Sequence, residues 1–139
     1  MTVVGWVAAL VLAGIAALHF YWAAGGTTGA SAAIPERGGR PAFSPAPQTT
    51  ALVALAFLAA SAIVLARIGA WGPASGSPSW VRLGTWCIGG AFLLRAIGDF
   101  RLVGFFKRVR GTRFADLDST IYSPLSLGVG VAVLWLAAQ

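Results

Sequence analysis

An all-α fold, a polytopic membrane protein built as a four-transmembrane-helix bundle, is what this sequence predicts, on three observations. Of its 139 residues 58% are apolar and only 10% charged, with a mean hydropathy of +0.79, whereas soluble domains carry roughly one-quarter charged residues. The apolar residues gather into four stretches, each near the roughly 20 residues that cross a bilayer core of about 30 Å. The connections between them hold most of the charge and most of the proline. A chain of this length makes one domain over residues 1–139 and leaves no room for a second, soluble one.

The first stretch, about 3–24, lacks the basic leader of a cleaved signal peptide and exceeds a usual signal core, so it reads as a helix. The connection over 25–48 carries Gly25, Gly26, Pro35, Gly38, Gly39, Pro41, Pro45 and Pro47, which forbid a continuous helix. It is either a mobile linker or a lid over the end of the bundle. The second and third helices are expected at about 49–70 and 80–99, joined by a short Pro/Gly/Ser turn. Small residues recur four apart at Ala9/Ala13/Ala17, Ala56/Ala60 and Ser126/Gly130, the spacing that lets helix backbones approach. Cys87, the lone cysteine, lies in an apolar stretch and reads as packing.

Beyond residue 99, Leu102, Phe106 and Val109 stand at helical spacing among Arg101, Lys107, Arg108 and Arg110. This pattern is that of a basic amphipathic segment at the lipid headgroups, with anionic lipid as the expected partner of those four cations. Alternatively, the third helix continues through Phe106. The fourth helix is expected over about 119–138. Pro124 is favoured as a first helical residue with Ser123 as its N-cap. A start there would leave a helix of only about 22 Å and irregular backbone over 118–123.

Counting Lys and Arg sets the expected orientation. Arg37, Arg40, Arg101, Lys107, Arg108, Arg110 and Arg113 share one side; Arg67 and Arg82 share the other. The long connections are therefore expected in the cytoplasm and both termini in the periplasm. Aromatic residues agree, with Trp6, Trp71, Trp80 and Trp135 at the outer boundary and Tyr21, Trp22 and Tyr122 at the inner one.

Charges inside an apolar helix are the strongest functional signal. Arg95 and Asp99, one turn apart, are expected to neutralise each other as an intramembrane Arg-Asp pair, leaving guanidinium donors for a ligand. Crossing parity puts the ends of helices one and three and the start of helix four on one side, whatever the orientation. His19, Trp22, Arg95, Asp99, Asp116, Asp118, Tyr122 and Ser123 thus converge on one mouth, where His19 is expected within about one water-bridged hydrogen bond of Asp99 or Tyr122. Asp118 has a second reading, as a cap or a partner of the basic segment.

One histidine and one cysteine exclude a typical His/Cys zinc site and a bis-histidine haem. Phosphate loops, Ser-x-x-Lys pairs and nucleophile elbows are absent from the sequence. No cofactor, no metal and no nucleic acid is expected.

Three strings then carry a resemblance: Leu-His-Phe-Tyr-Trp-Ala-Ala-Gly-Gly from Leu18, Leu-Leu-Arg-Ala-Ile-Gly-Asp-Phe-Arg-Leu-Val-Gly-Phe-Phe-Lys-Arg from Leu93, and Asp-Ser-Thr-Ile-Tyr-Ser-Pro-Leu from Asp118. Nearly the whole chain resembles a family of small four-helix bacterial membrane proteins known as a domain of unknown function. The resemblance implies a fold and a set of positions, His19, Trp22, Arg95, Asp99, Arg101 and Tyr122, and brings no activity with it; the expected location is the bacterial inner membrane. Three functions fit the residues. One is binding of a small anionic or amphipathic ligand at the cytoplasmic mouth. The second is a non-catalytic accessory subunit, as a homo-oligomer or within a membrane complex, and the third a small enzyme with His19 as base.

Overall fold

The computed structural model describes residues 2–72 and 77–139. Four long helices dominate: α1 (Thr2–Ala23), α3 (Pro47–Arg67), α4 (Ser79–Ile97) and α6 (Ser123–Ala138). Between the first two lie a single-turn helix α2 (Ala30–Ala33) and a two-residue hairpin, β1 (Glu36–Arg37) with β2 (Arg40–Pro41). Gly38 and Gly39 turn that hairpin with φ of 61° and 75°, the left-handed pair that suits a two-residue loop. A five-residue helix α5 (Arg113–Leu117) precedes α6, joined to it by a π-turn over Asp118–Tyr122.

Among the described residues three helices are long and apolar enough to cross a membrane: Thr2–Ala23, Pro47–Arg67 and the continuous run Arg113–Ala138. The last, at 26 residues, is about 39 Å long. Helix α4, 19 residues with Arg82, Arg95 and Gly84, Gly89 and Gly90, is less apolar than these.

Contacts along the helices show how they pair. Gly5 meets Ile68, Ser61 donates to the Ala9 carbonyl at 2.9 Å, and His19 meets Phe57, so α1 and α3 run antiparallel. Helices α4 and α6 pair by exchange: Leu134 of α6 fills the space beside Gly89, and Leu93 of α4 fills that beside Gly130. Missing side chains at Gly89 and Gly130 let the two backbones close together, the role small residues play where hydrophobicity gives no drive between helices. A core of Ala8, Ala9 and Leu12, Val64 and Ile68, and Val129, Val133 and Leu136 joins α1, α3 and α6. Outside it, Val3, Leu10, Leu52, Leu83 and Leu94 are all at least 65% exposed, a burden in water but not in lipid.

Several expectations need correction. Helix three stops at Ile97, with Gly98 at φ 90° as its cap, so it does not continue through Phe106, and the basic segment over 101–110 is loop. The fourth helix does not begin at Pro124: Ser123 is helical and Thr112 is the N-cap, accepting from the Ala115 amide at 3.1 Å. Pro124 is accommodated because the preceding turn is a π-turn, in which the Ser123 amide reaches the Asp118 carbonyl. A wider turn relieves the clash between a proline ring and the carbonyl four residues back. Cys87 is exposed on α4 rather than packed. The 25–48 connection is part folded: Ala32 and Pro35 are buried, whereas residues 37–49 are exposed.

Candidate functional site

Antiparallel pairing brings the C-terminal ends of α1 and α4, the first connection and the α5–α6 entry to one mouth. At its centre is Asp118, with no exposed surface. Its Oδ1 accepts from Arg95 Nη2 at 2.6 Å. Its Oδ2 accepts from the Gly104 amide at 2.8 Å, Lys107 Nζ at 3.0 Å and Ser123 Oγ at 3.2 Å. A carboxylate removed from water needs such an array, since each unused lone pair would add to the cost of burying the charge.

Lys107, 2% exposed, is equally saturated. Its ammonium donates to the Gly104 carbonyl at 3.1 Å, to Asp118 and to Ser119 Oγ at 2.6 Å. Three contacts, with the Gly104 carbonyl, Asp118 and Ser119 Oγ, thus surround this one nitrogen.

The loop over 98–104 shapes this seat. A Cβ on Gly98 would collide with the Val103 carbonyl, and one on Gly104 with the Ile97 carbonyl and Gly98. Both glycines have positive φ, so backbone crosses backbone where only glycine fits. The Phe105 amide closes the loop onto the Ala96 carbonyl at 2.8 Å. Asp99 holds the interior: its Oδ1 accepts from the amides of Arg101, Leu102 and Val103 at 2.9, 2.7 and 3.0 Å. Desolvation raises its pKa, but the Val103, Arg101 and Leu102 amides outweigh that and hold the carboxyl below its ordinary value.

The sequence-derived residues therefore divide. Arg95 does form an Arg-Asp pair, but with Asp118, 23 positions on, and not with Asp99. The i, i+4 geometry assumed for Arg95 and Asp99 requires helix through 99, and Gly98 has already broken it. Tyr122 joins the mouth differently, donating to the Ala32 carbonyl at 3.2 Å and tying the first connection to the α6 entry. Trp22 Nε1 donates to the Thr28 carbonyl at 2.9 Å, holding the same connection from the α1 side.

His19 stands apart. Its Nδ1 donates to the Ile15 carbonyl at 2.8 Å, and its ring lies 5.0 Å from Trp22 and 5.3 Å from Phe57. Phe57 in turn packs at 6.1 Å from Phe92, so aromatic rings follow His19 towards α4. Among the described residues, no direct hydrogen bond links His19 to Arg95, Asp99 or Tyr122.

Arg101, Arg108 and Arg110 are exposed, so of the four cations read as lipid-facing, Lys107 is the exception. The Arg101 carbonyl accepts from the Arg108 and Val109 amides at 3.2 and 3.0 Å. Sequence reasoning undervalued Lys107, Gly104 and Ser119. Asp118 was visible as a partner of the basic segment, and the Gly-Asp step at 98–99 was the available sign that the helix ends early. Among the described residues no cluster of His, Cys, Asp and Glu could hold a metal ion.

The chain belongs to the family described as "Protein of unknown function (DUF3995)", whose model matches residues 5–133. Comparison with the curated proteins and with the solved structures finds no match.

Proposed function

We propose that this chain is a four-pass inner-membrane protein with both termini in the periplasm, acting without catalysis as an assembly subunit of a larger membrane complex or homo-oligomer. The observation that carries this reading is the closure of Asp118. A carboxylate with no exposed surface, satisfied by four donors and flanked by a lysine with three acceptors, has no free valence for chemistry. Its work is to fix where α4 ends and where α6 begins, the register-setting use best attested for buried polar groups. His19, bonded to its own helix, offers no base beside an acid.

Surfaces for assembly lie elsewhere. An open apolar furrow runs between α1 and α6, lined by Val4, Phe105, Gly128, Ala132 and Trp135. Gly128 leaves free space where a side chain would stand, so another helix or a lipid chain can approach the α6 backbone.

A second reading, a small anionic ligand at the mouth, is favoured by one feature. Arg95 keeps Nη1 buried without a partner while its side chain is 34% exposed. The three charges Arg95, Lys107 and Asp118 also sum to +1.

Native mass spectrometry from a mild detergent separates the readings. The assembly reading expects a mass well above the 14.3 kDa protomer, which collapses to the protomer on Gly128→Leu. A protomer that retains a small anion, lost on Arg95→Gln, would replace it with the ligand reading.

A further inference from the structure

The opposite end of the bundle has cationic side chains and no acidic one. All four acidic side chains of the chain, Glu36, Asp99, Asp116 and Asp118, sit in the connections at the mouth. The end where α3 finishes and α4 starts has Arg67 and Arg82. Arg67 is only 7% exposed, and its Nε is buried with no hydrogen-bond partner. Among the described residues neither ion pair involves it. A buried guanidinium without a counter-charge is costly, and in a membrane protein such a residue marks a site until a partner is found.

Its surroundings make the missing partner an anion. Helix α3 runs antiparallel to α4, with Phe57 against Phe92 and Ile63 against Gly84. Arg67 lies one turn beyond Ile63 on the same face of α3, which sets it level with the start of the antiparallel α4. That helix is 19 residues long, its N-cap is Pro78, no side chain caps it, and its first turn contains no acid. Its leading amides and dipole thus present positive potential near a guanidinium that is offset only by the C-terminal end of its own helix α3, and an anion between them would neutralise both. Arg82, exposed in that first turn, adds a further charge. Trp71 and Trp80, 68% and 62% exposed on either side, are the residues that mark headgroup depth.

We propose that Arg67 and the N-terminus of α4 form a binding site for a phosphate group, whether free in solution or carried by a lipid. Arginine offers a planar fork for two phosphate oxygens, and the amides of a helix start bind the remainder.

Thermal unfolding of the whole chain in phosphatidylcholine bicelles, at fixed ionic strength, tests this with inorganic phosphate in one arm and phosphatidic acid in the other. Ligand binding to the folded state raises the midpoint saturably. The expected result is a saturable rise in at least one arm. Response to phosphate alone identifies a free anion, and response only to phosphatidic acid identifies a headgroup. In Arg67→Gln the half-saturating concentration rises at least tenfold, while Arg108→Gln, at the other end, responds as the parent does. Arg67→Met guards against a folding artefact: without anion it unfolds no earlier than the parent, because the charge it removes has no partner to lose. No saturable rise in either arm, an undiminished response in Arg67→Gln, or early unfolding of Arg67→Met would each overturn the assignment.

Discussion

The two ends of this bundle treat buried cations in opposite ways. At the mouth, Arg95 and Lys107 converge on Asp118 and every oxygen of that carboxylate is used. At the far end Arg67, 7% exposed against 2% for Lys107, is also buried, but among the described residues no carboxylate pairs with it. Burial of charge alone therefore does not mark a functional residue. What separates the two ends is whether the protein itself supplies the counter-charge.

The largest effect that can break this contrast comes from Asp118. Asp118→Asn leaves Arg95 and Lys107 without neutralisation and is expected to cost on the order of 3–5 kcal/mol, read by reversible unfolding in bicelles. Replacing all three by apolar residues, Arg95→Met, Lys107→Met and Asp118→Leu together, should recover most of that loss. A triple variant no better than Asp118→Asn would mean that the cluster contributes more than mutual neutralisation.

Next are the glycines that build the seat. Gly98→Ala or Gly104→Ala sets a Cβ against backbone as well as forcing an unfavourable φ, for a loss of roughly 2–3 kcal/mol or more. Gly111→Ala, also at positive φ but with open space around it, should cost only about 1 kcal/mol. Equal losses at the three sites would show that backbone crossing at 98–104 is unimportant.

These residues also show what the sequence could and could not reveal. Apolar stretches of about 20 residues located the four long helices to within a few residues, because hydropathy and helix length are local properties. Crossing parity gathered Arg95, Asp99, Asp118 and Tyr122 at one end for the same reason. Choosing Arg95's partner was different. Asp99 was nearer in sequence, and the pairing rule for helices favoured it, yet one glycine at position 98 turned Asp99 away to cap its own loop. Burial of Lys107 was equally hidden, since its environment comes from a loop fold and from Asp118 eleven positions later. Pro124 signalled a disturbance at the start of α6, but a π-turn within a continuous helix resolves it with less rearrangement than a new helix start.

A smaller effect sharpens the contrast within the mouth. Asp99 is held below its ordinary pKa in the folded chain, so its contribution is present above the unfolded carboxylate pKa, about 3.9, and is lost as pH falls through the lower folded value. Hydrogen exchange at Arg101, Leu102 and Val103 is expected to accelerate over that acid range. Asp99→Ala should remove this pH dependence and cost about 1 kcal/mol, with α4 and α6 still paired. Loss of the α4–α6 pairing in that variant would promote Asp99 from a loop cap to a member of the lock.

The most direct measurement is a pair of double-mutant cycles by unfolding in bicelles, one on Arg95→Ala with Asp118→Ala and the other on Arg95→Ala with Asp99→Ala. The structure predicts a coupling of about 2–3 kcal/mol for Arg95 with Asp118, and additivity to within about 0.5 kcal/mol for Arg95 with Asp99. Coupling to Asp99 with additivity at Asp118 would contradict the account.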